Sequence, residues 1–380
     1  MRKSAFIRYT EGEIRMRKLK VAIIGQGRSG RDIHGKFFRS ENNDKYEVAY
    51  VAEKSEFRRK RAAEEYGCEV VSDYTELFGK KDIDLVVNAS FSQMHYPITK
   101  DLLSHGFNVL CEKPFGRTTY ECMDLINTAK ANGVTVTAFQ QSLYAPDFAK
   151  VKEIIAGGKL GKILQINIRY QGFARRWDWQ TLQSFCAGSV YNTGPHPIGQ
   201  ALSLLGWDDK AEVKFSSLAT ALTSGDAEDF AKIIISAPDK PFADIEITST
   251  DGFADGYRFK VIGTNGSLKV QGSEYTLKYL DTEKVAPREL IRKPLENGER
   301  MPAYCGEKLD ITEEKGSFTG DSFDYASKKF YDMLYATVVD KVPLDITPEM
   351  AMKVISVIEK CHADNPLEVL FDGSVEYADN

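Results

Sequence analysis

The chain has 380 residues, of which 42% are hydrophobic and 28% charged, and its formal net charge is −5. This length favours two domains, and the slight negative charge gives no attraction to nucleic acid or to anionic lipid. No apolar run approaches the roughly 20 residues that a membrane span needs. We therefore expect a soluble globular protein with neither nucleic acid nor a membrane as a partner.

The six cysteines, at positions 68, 111, 122, 186, 305 and 361, show no paired spacing of the disulfide or zinc type. We therefore expect no bound metal and a reducing, cytoplasmic location. Residues 1–16 are basic and lack the apolar core of a signal peptide, which predicts an additional N-terminal arm.

A glycine-rich turn follows the first predicted strand, Lys20–Ile24. The turn, Gly25-Gln26-Gly27-Arg28-Ser29-Gly30, has the G-x-G-x-x-G pattern and precedes a helical segment. A second predicted strand, Tyr46–Ala52, ends in Glu53, whose carboxylate can accept the hydroxyls of an adenosine ribose. This combination predicts a dinucleotide site whose pyrophosphate meets Gly25, Gly27, Arg28 and Ser29. We expect NAD rather than NADP because Glu53 would repel a 2′-phosphate, although Lys54 softens that repulsion.

Strand and helix patterns then alternate as far as residue 143. Such alternation predicts a parallel sheet with helices on both faces, which is an α/β Rossmann domain over residues 17–143. Three segments, 88–90, 112–114 and 140–142, would meet at the carboxyl edge of this sheet, where ligands bind. Further cofactor contacts are expected at this edge from Ala89, Ser90, His95, Glu112, Lys113 and Gln141.

The pattern changes after residue 143. Segments that alternate apolar and polar residues, as strands with one solvated face do, follow an amphipathic helix at 146–156. The short gaps between them predict a mainly antiparallel sheet in an α+β domain over residues 144–366. Two helices are expected at 323–340 and 348–363, and a polar C-terminal tail at 367–380, whereas residues 281–320 show no clear pattern.

Two polar segments of this second domain carry side chains that suit a sugar. Arg176, Trp177 and Trp179 combine forked donors with flat aromatic faces, although a solvated hinge is an equal alternative. His196 lies in a segment rich in glycine and polar residues and precedes a predicted helix at 198–205. It is therefore either a structural cap or an acid/base group.

With these residues in place, the chain resembles the glucose–fructose oxidoreductase / inositol dehydrogenase (Gfo/Idh/MocA) family over residues 18–365. The family motif E-K-P matches Glu112-Lys113-Pro114, and the motif D-x-G-x-H matches at Gly194 and His196. Asn192 stands where the family has aspartate, and Gln141-Ser142 replaces the usual Asn-Arg. These departures indicate a divergent subgroup.

The resemblance implies a Rossmann domain followed by a large open-faced, mainly antiparallel sheet that another subunit covers in a homodimer or homotetramer. It implies that Lys113 is a catalytic lysine near the nicotinamide, that His196 is the acid/base, and that Asn192 holds His196. The expected reaction is oxidation by NAD of a ring hydroxyl of a sugar, sugar derivative or cyclitol. Substrate contacts are expected from Lys113, Tyr170, Arg176, Trp177, Trp179, Asn192 and His196. A redox-neutral NAD-dependent glycosidase and a catalytically silent sensor of NAD and sugar remain as alternatives.

Overall fold

A computed structural model describes residues 17–253, 256–292, 304, 306–318 and 322–374. The predicted N-terminal arm and the end of the predicted tail lie outside these ranges. Two sheets follow one another along the chain, one of six strands and one of eight. The predicted order, an α/β half followed by an α+β half, is confirmed.

The first sheet is parallel throughout, with the strand order β3-β2-β1-β4-β5-β6. Its central strands are buried at almost every position, as expected where helices cover both faces. The strand order reverses between β1 and β4, and this reversal opens a crevice at the carboxyl edge. The strands are β1 Leu19–Ile24, β2 Tyr46–Ala52, β3 Glu69–Val71, β4 Leu85–Asn88, β5 Val109–Cys111 and β6 Val136–Ala138.

Two helices of the first half, Glu56–Tyr66 and Thr119–Asn132, begin and end where the sequence supplies caps. The side chain of Thr118 accepts a hydrogen bond from the backbone N–H of Glu121, and Gly67 and Gly133 end their helices in the left-handed region at φ 64°. A wide helical turn, Arg28–His34, leads from the glycine-rich turn into the first helix. The helices are α1 Gly35–Phe38, α2 Glu56–Tyr66, α3 His95–Ser104 and α4 Thr119–Asn132.

The second sheet has the order β14-β13-β12-β11-β7-β10-β9-β8, and every neighbouring pair is antiparallel except β7 and β10. Burial alternates along β9, so one face of the sheet is packed and the other is not. The sequence did not predict β13 or the edge strand β14, because neither of these charged strands has an apolar run. The strands are β7 Ile163–Gln171, β8 Glu212–Ala219, β9 Phe230–Ser236, β10 Phe242–Thr248, β11 Phe259–Gly263, β12 Gly266–Gln271, β13 Glu274–Tyr279 and β14 Thr312–Ser317.

Helices pack against one face of this sheet, and ion pairs cross the other. On the open face, Asp244 lies 2.6 Å from the ammonium of Lys232 and 2.9 Å from the guanidinium of Arg169. The predicted helix at 198–205 begins earlier, with prolines in its first turn, so His196 lies inside the helix rather than before it. The helices are α5 Pro146–Ala156, α6 Ser189–Asn192, α7 Pro195–Leu204, α8 Ser322–Asp340 and α9 Pro348–Asp364.

The last two helices return to the first half of the chain. Tyr331 of α8 stacks on Phe37 with 4.4 Å between ring centroids, and α9 packs against α4. Part of the predicted polar tail is also bonded to the protein, since Asp226 accepts hydrogen bonds from the backbone N–H groups of Leu370 and Phe371. The C-terminal end of the second half therefore contacts structure that precedes it in the chain.

No helix in the described ranges is both long and apolar enough to cross a membrane.

Candidate active site

The glycine-rich turn forms the floor of the crevice at the carboxyl edge of the first sheet. Gly25 has φ +88°, and a Cβ atom there would lie 2.6 Å from the carbonyl oxygen of Ala89, so only glycine fits. At Gly27, by contrast, a Cβ atom would meet nothing within 4 Å. The turn thus exposes its backbone to open space, as a pyrophosphate site requires.

Glu53 ends β2 beside this turn. Its carboxylate accepts hydrogen bonds from the backbone N–H of Gln26 at 2.7 Å and of Ser55 at 2.9 Å. Each carboxylate oxygen can accept more than one hydrogen bond, so ribose hydroxyls can still bind. The guanidinium of Arg58 lies 3.9 Å away, whereas the charge of Lys54 acts on Asp73.

Two residues predicted to contact the cofactor are instead engaged inside the protein. His95 is 2% exposed, and its Nδ1 and Nε2 atoms lie 2.7 and 3.2 Å from the backbone carbonyl oxygens of Pro114 and Ser90. Burial lowers the pKa of His95, so its single proton belongs at the shorter contact, to Pro114. His95 therefore braces the two loops that follow β4 and β5, and it offers no surface to a ligand.

Glu112 is the second such residue, at 2% exposure. One carboxylate oxygen lies 3.0 Å from Nε2 of His34, and the other accepts the backbone N–H of Lys113 at 3.0 Å. Nδ1 of His34 lies 2.6 Å from the hydroxyl of Tyr331. Burial opposes the charged form, but the hydrogen bond from His34 prevails and lowers the pKa of Glu112 to about 2. The buried hydrogen bonds from Tyr331 through His34 to Glu112 therefore hold the backbone of Lys113 in place.

Lys113 extends from that backbone across the cleft to the second half of the protein. Its ammonium donates a hydrogen bond of 2.7 Å to the backbone carbonyl of Asn192, at the end of α6. The peptide bond between Lys113 and Pro114 is cis. Burial, together with the charges of Arg28 and Arg176, lowers the pKa of Lys113, and Glu112 opposes this shift.

Helix α6 is itself fixed by a second buried carboxylate. Glu228 is 1% exposed and accepts the backbone N–H of Val190 at 2.8 Å. Its other oxygen lies 3.2 Å from Nε2 of His362, on α9. The backbone carbonyl of Asn192, which accepts the hydrogen bond from Lys113, is therefore supported by a buried carboxylate and histidine. The backbone of Lys113 is supported in the same way.

His196 faces the same cleft from the first turn of α7. Its Nδ1 atom lies 3.0 Å from the hydroxyl of Ser142, and its ring lies nearly parallel to that of Tyr170. Nε2 makes no hydrogen bond within the described part of the chain. Burial, followed by the charge of Lys113, holds the pKa of His196 well below its ordinary value, so the imidazole is neutral at pH 7.

The expected contact between Asn192 and His196 is not formed. The amide of Asn192 instead donates to the backbone carbonyl of Gln180 at 2.9 Å, and Ser142 supplies the partner of the imidazole. The sequence did mark position 142 as a departure from the family pattern, but spacing along the chain could not show which residue reaches the ring. Asn192 thus fixes the loop that precedes it, while its backbone binds Lys113.

The loop that carries Arg176, Trp177 and Trp179 is only partly directed at the cleft. Trp179 packs edge-on against Phe91, which follows β4, with 5.0 Å between ring centroids. Trp177 is 78% exposed, and Arg176 forms a salt bridge of 2.7 Å with Asp178. Trp179 therefore joins the two halves of the protein, whereas Trp177 stands on the open side of the loop.

The crevice also fits a nicotinamide dinucleotide by its unsatisfied acceptors. The side-chain oxygens of Gln26, Gln140 and Gln141 are buried and have no hydrogen-bond partner within the described ranges. Gln26 belongs to the glycine-rich turn, and the other two follow β6 at the carboxyl edge. Buried acceptors without donors are rare in folded proteins, and hydrogen-bond donors on a bound ligand would satisfy these three oxygens.

Sequence comparison identifies both halves of the chain. The family described as "Oxidoreductase family, NAD-binding Rossmann fold" matches residues 19–140, and the "GFO/IDH/MocA C-terminal domain" matches residues 148–269. An uncharacterized oxidoreductase of Schizosaccharomyces pombe is 28% identical over 260 residues, which cover 67% of this chain and 70% of that protein. The scyllo-inositol 2-dehydrogenase (NADP(+)) IolW of Bacillus subtilis is 24% identical and covers 92% of this chain and 94% of its own.

Solved structures share the fold along almost the whole chain. An NAD-binding protein from Listeria innocua has a TM-score of 0.74 at 20% identity, covering 92% of this chain and 96% of its own. GenD2 from gentamicin A biosynthesis, in complex with NAD, has a TM-score of 0.73 at 19% identity, covering 94% and 97%. With both family domains matched in order, the protein belongs to the Gfo/Idh/MocA family of NAD-binding oxidoreductases.

Proposed function

We propose that the protein oxidises a ring hydroxyl of a sugar, sugar derivative or cyclitol, or carries out the reverse reduction. One observation carries this proposal. Lys113 and His196, which lie on different halves of the chain, face the same cleft, and Lys113 is bonded to the residue four positions before His196. A cation and a neutral imidazole at the carboxyl edge of a dinucleotide-binding sheet suit the removal of a proton from an alcohol.

Each residue then has a distinct role. Nδ1–H of His196 donates to Ser142, which leaves the lone pair of Nε2 to take the hydroxyl proton. Lys113 hydrogen-bonds the same substrate oxygen and stabilises the negative charge that develops on it. When bound, NAD supplies the acceptor for the hydride. Trp179 and Tyr170 offer the ring faces against which a sugar can pack.

The experiment is a screen of the purified protein with NAD against cyclitols, aldoses, uronates and glycosides. The expected result is an increase in the absorbance of reduced nicotinamide with at least one cyclic polyol or sugar. The same substrate should give no signal with the Lys113→Ala variant. If no member of the panel produces NADH and NADH reduces none of the corresponding ketones, the proposal fails.

A redox-neutral reaction on the same scaffold is the second candidate. A relative from Mediterraneibacter gnavus that is 22% identical is named a 2,7-anhydro-N-acetylneuraminate hydratase, and hydration transfers no net hydride. The same lysine and imidazole would serve a transient oxidation, as in NAD-dependent glycosidases. Product formation without accumulation of NADH distinguishes this candidate from a dehydrogenase.

We also propose a preference for NAD over NADP. Glu53 lies at the position that meets the adenosine ribose, and its charge disfavours a 2′-phosphate. Arg58, 3.9 Å from that carboxylate, weakens the effect, so the preference is modest. Dissociation constants for the two cofactors test it, and equal or tighter binding of NADP contradicts it.

A homo-oligomer is the expected assembly, with a second copy on the open face of the eight-stranded sheet. This face carries the ion pairs of Asp244 described above, and Phe242, on the same strand, is 41% exposed. A polar face with an exposed aromatic residue is typical of an interface between folded subunits. Light scattering that shows a monomer at micromolar concentration would contradict this expectation.

A further inference from the structure

A polar cavity of about 260 Å³ lies beside the candidate base. It is formed at the carboxyl ends of β7 and β10, the one parallel pair of strands in the second sheet. Tyr170 lines the cavity and also lies parallel to the ring of His196, with 6.3 Å between the ring centroids. The cavity is therefore separated from the candidate base by a single side chain.

Among the described residues, Arg258 is the only charged one that lines this cavity. Its guanidinium lies over the ring of Tyr170, 3.7 Å from the centroid. Nη1 is buried and has no hydrogen-bond partner within the described ranges. A buried charged donor without an acceptor is costly, and native proteins seldom retain one without a reason.

Within the described ranges, neighbouring acids do not supply the missing acceptor. Asp147 is the carboxylate whose charge interacts with Arg258, but the two form no salt bridge, and burial raises the pKa of Asp147. Two other positive side chains of the cleft, Arg176 and Lys113, differ from Arg258 in this respect. Arg176 is paired with Asp178, and Lys113 donates to a backbone carbonyl.

We propose that this cavity binds a carboxylate of the substrate and that Arg258 selects acidic sugars over neutral ones. This inference rests on the proposed function, because it names the substrate class of the same site. The planar fork of arginine matches a carboxylate, and Ser189 and Thr193, whose hydroxyls have no side-chain partners in the described structure, also line the cavity. A neutral sugar would leave Nη1 unsatisfied.

Matched ligand pairs test the proposal without any mutation. Binding to the protein saturated with NADH is measured by calorimetry for glucose against glucuronate and for galactose against galacturonate, with glucose 6-phosphate as a further anion. We expect the acidic member of at least one pair to bind roughly ten- to a hundredfold more tightly, which is the scale of one charge-assisted hydrogen bond. Equal affinity within both pairs, or preference for the sugar phosphate, overturns the assignment.

Variants then locate the effect. Arg258→Gln should abolish the preference for the acid while it changes the affinity for a neutral sugar less than threefold. Arg258→Lys keeps the charge and should retain part of the preference, which separates a lost contact from a damaged fold. Lys260→Gln is the matched control, since it removes a positive charge two residues further along the chain, in β11 and outside the cavity lining. A preference that survives in Arg258→Gln overturns the proposal.

The outcomes for this site and for the reaction are distinguishable. Binding of a uronate that depends on Arg258 but yields no NADH with NAD supports the carboxylate site and contradicts the dehydrogenase reaction. Oxidation of neutral sugars alone, unaffected by Arg258→Gln, supports the reaction and overturns the carboxylate site.

Discussion

Two adjacent residues, Glu112 and Lys113, are used in opposite ways. Glu112 is 2% exposed, and both of its carboxylate oxygens have partners inside the protein. Lys113 is half-buried and reaches across the cleft to one backbone carbonyl, and burial together with two arginines lowers its pKa. Polar groups that are buried and satisfied hold the architecture, whereas groups left short of partners at a cleft are available to a ligand. Mutations of the buried, satisfied groups and mutations of the groups at the cleft should therefore have different consequences.

The largest effect is expected on the cleft side, from Lys113→Ala. Loss of a positioned cation should lower kcat by roughly a hundredfold or more, the usual scale for one group that stabilises a developing oxyanion. The dissociation constant for NADH should change only a fewfold, because the ammonium is bonded to Asn192 and not to the dinucleotide turn. Steady-state kinetics and a fluorescence titration with NADH measure the two quantities, and an unchanged kcat would remove Lys113 from the mechanism.

On the buried side the effect should appear in stability. His34→Leu leaves the carboxylate of Glu112 without its donor, and the free energy of unfolding at pH 7 should fall by about 3 kcal/mol. The matched variant Tyr331→Phe removes only the hydroxyl that is hydrogen-bonded to Nδ1 of His34, and it should lower the free energy of unfolding by about 1 kcal/mol. Urea unfolding measures both, and equal losses would show that Glu112 does not depend on His34.

The loss of stability caused by His34→Leu should depend on pH. The folded pKa of Glu112, about 2, lies below its ordinary value of 4.5, so its contribution to stability is present above pH 4.5 and is lost as the pH falls toward 2. Without His34 the buried carboxyl is protonated more readily. The difference in stability between wild type and His34→Leu should therefore narrow as the pH falls from 7 to about 4. A difference that is constant over this range would contradict the assignment.

A smaller effect is expected from Ser142→Ala, which removes the partner of Nδ1 of His196. The ring then loses its fixed orientation, and kcat/KM should fall by roughly three- to tenfold. Because the pKa of His196 is lowered by burial and by Lys113, the base should remain neutral and active at pH 6.5 in both proteins. A wild-type pH profile that already declines between pH 8 and 7 would show that His196 is not the base.

The smallest effect is expected from Asn192→Asp, which restores the residue typical of the family. A carboxylate four residues before His196 raises the pKa of the imidazole, but the side chain at this position faces the carbonyl of Gln180 rather than the ring. The acid limb of kcat/KM should therefore move to higher pH by less than about one unit. A larger shift would mean that the new carboxylate has turned onto His196.

Local pattern was sufficient to predict the first half of the fold from the sequence. The apolar strands, the glycine caps and the G-x-G-x-x-G turn each depend on neighbouring residues, and the computed structure has them close to the predicted positions. Strands β13 and β14 were missed because both are rich in charged residues and lack an apolar run, and β14 lies at the sheet edge, where few apolar side chains are needed. The partners of the site residues were also missed, since His34 lies 78 positions from Glu112 and Ser142 lies 54 from His196.

The two carboxylates behind the cleft depend on residues of α8 and α9, which the ribosome adds after the strands of both sheets. Tyr331 of α8 completes the chain through His34 to Glu112, and His362 of α9 completes the support of Glu228. All six strands of the first sheet are therefore synthesised before either wall of the cleft can be locked in place. During translation, the buried hydrogen bonds that support the cleft therefore stay incomplete until α8 and α9 have left the ribosome.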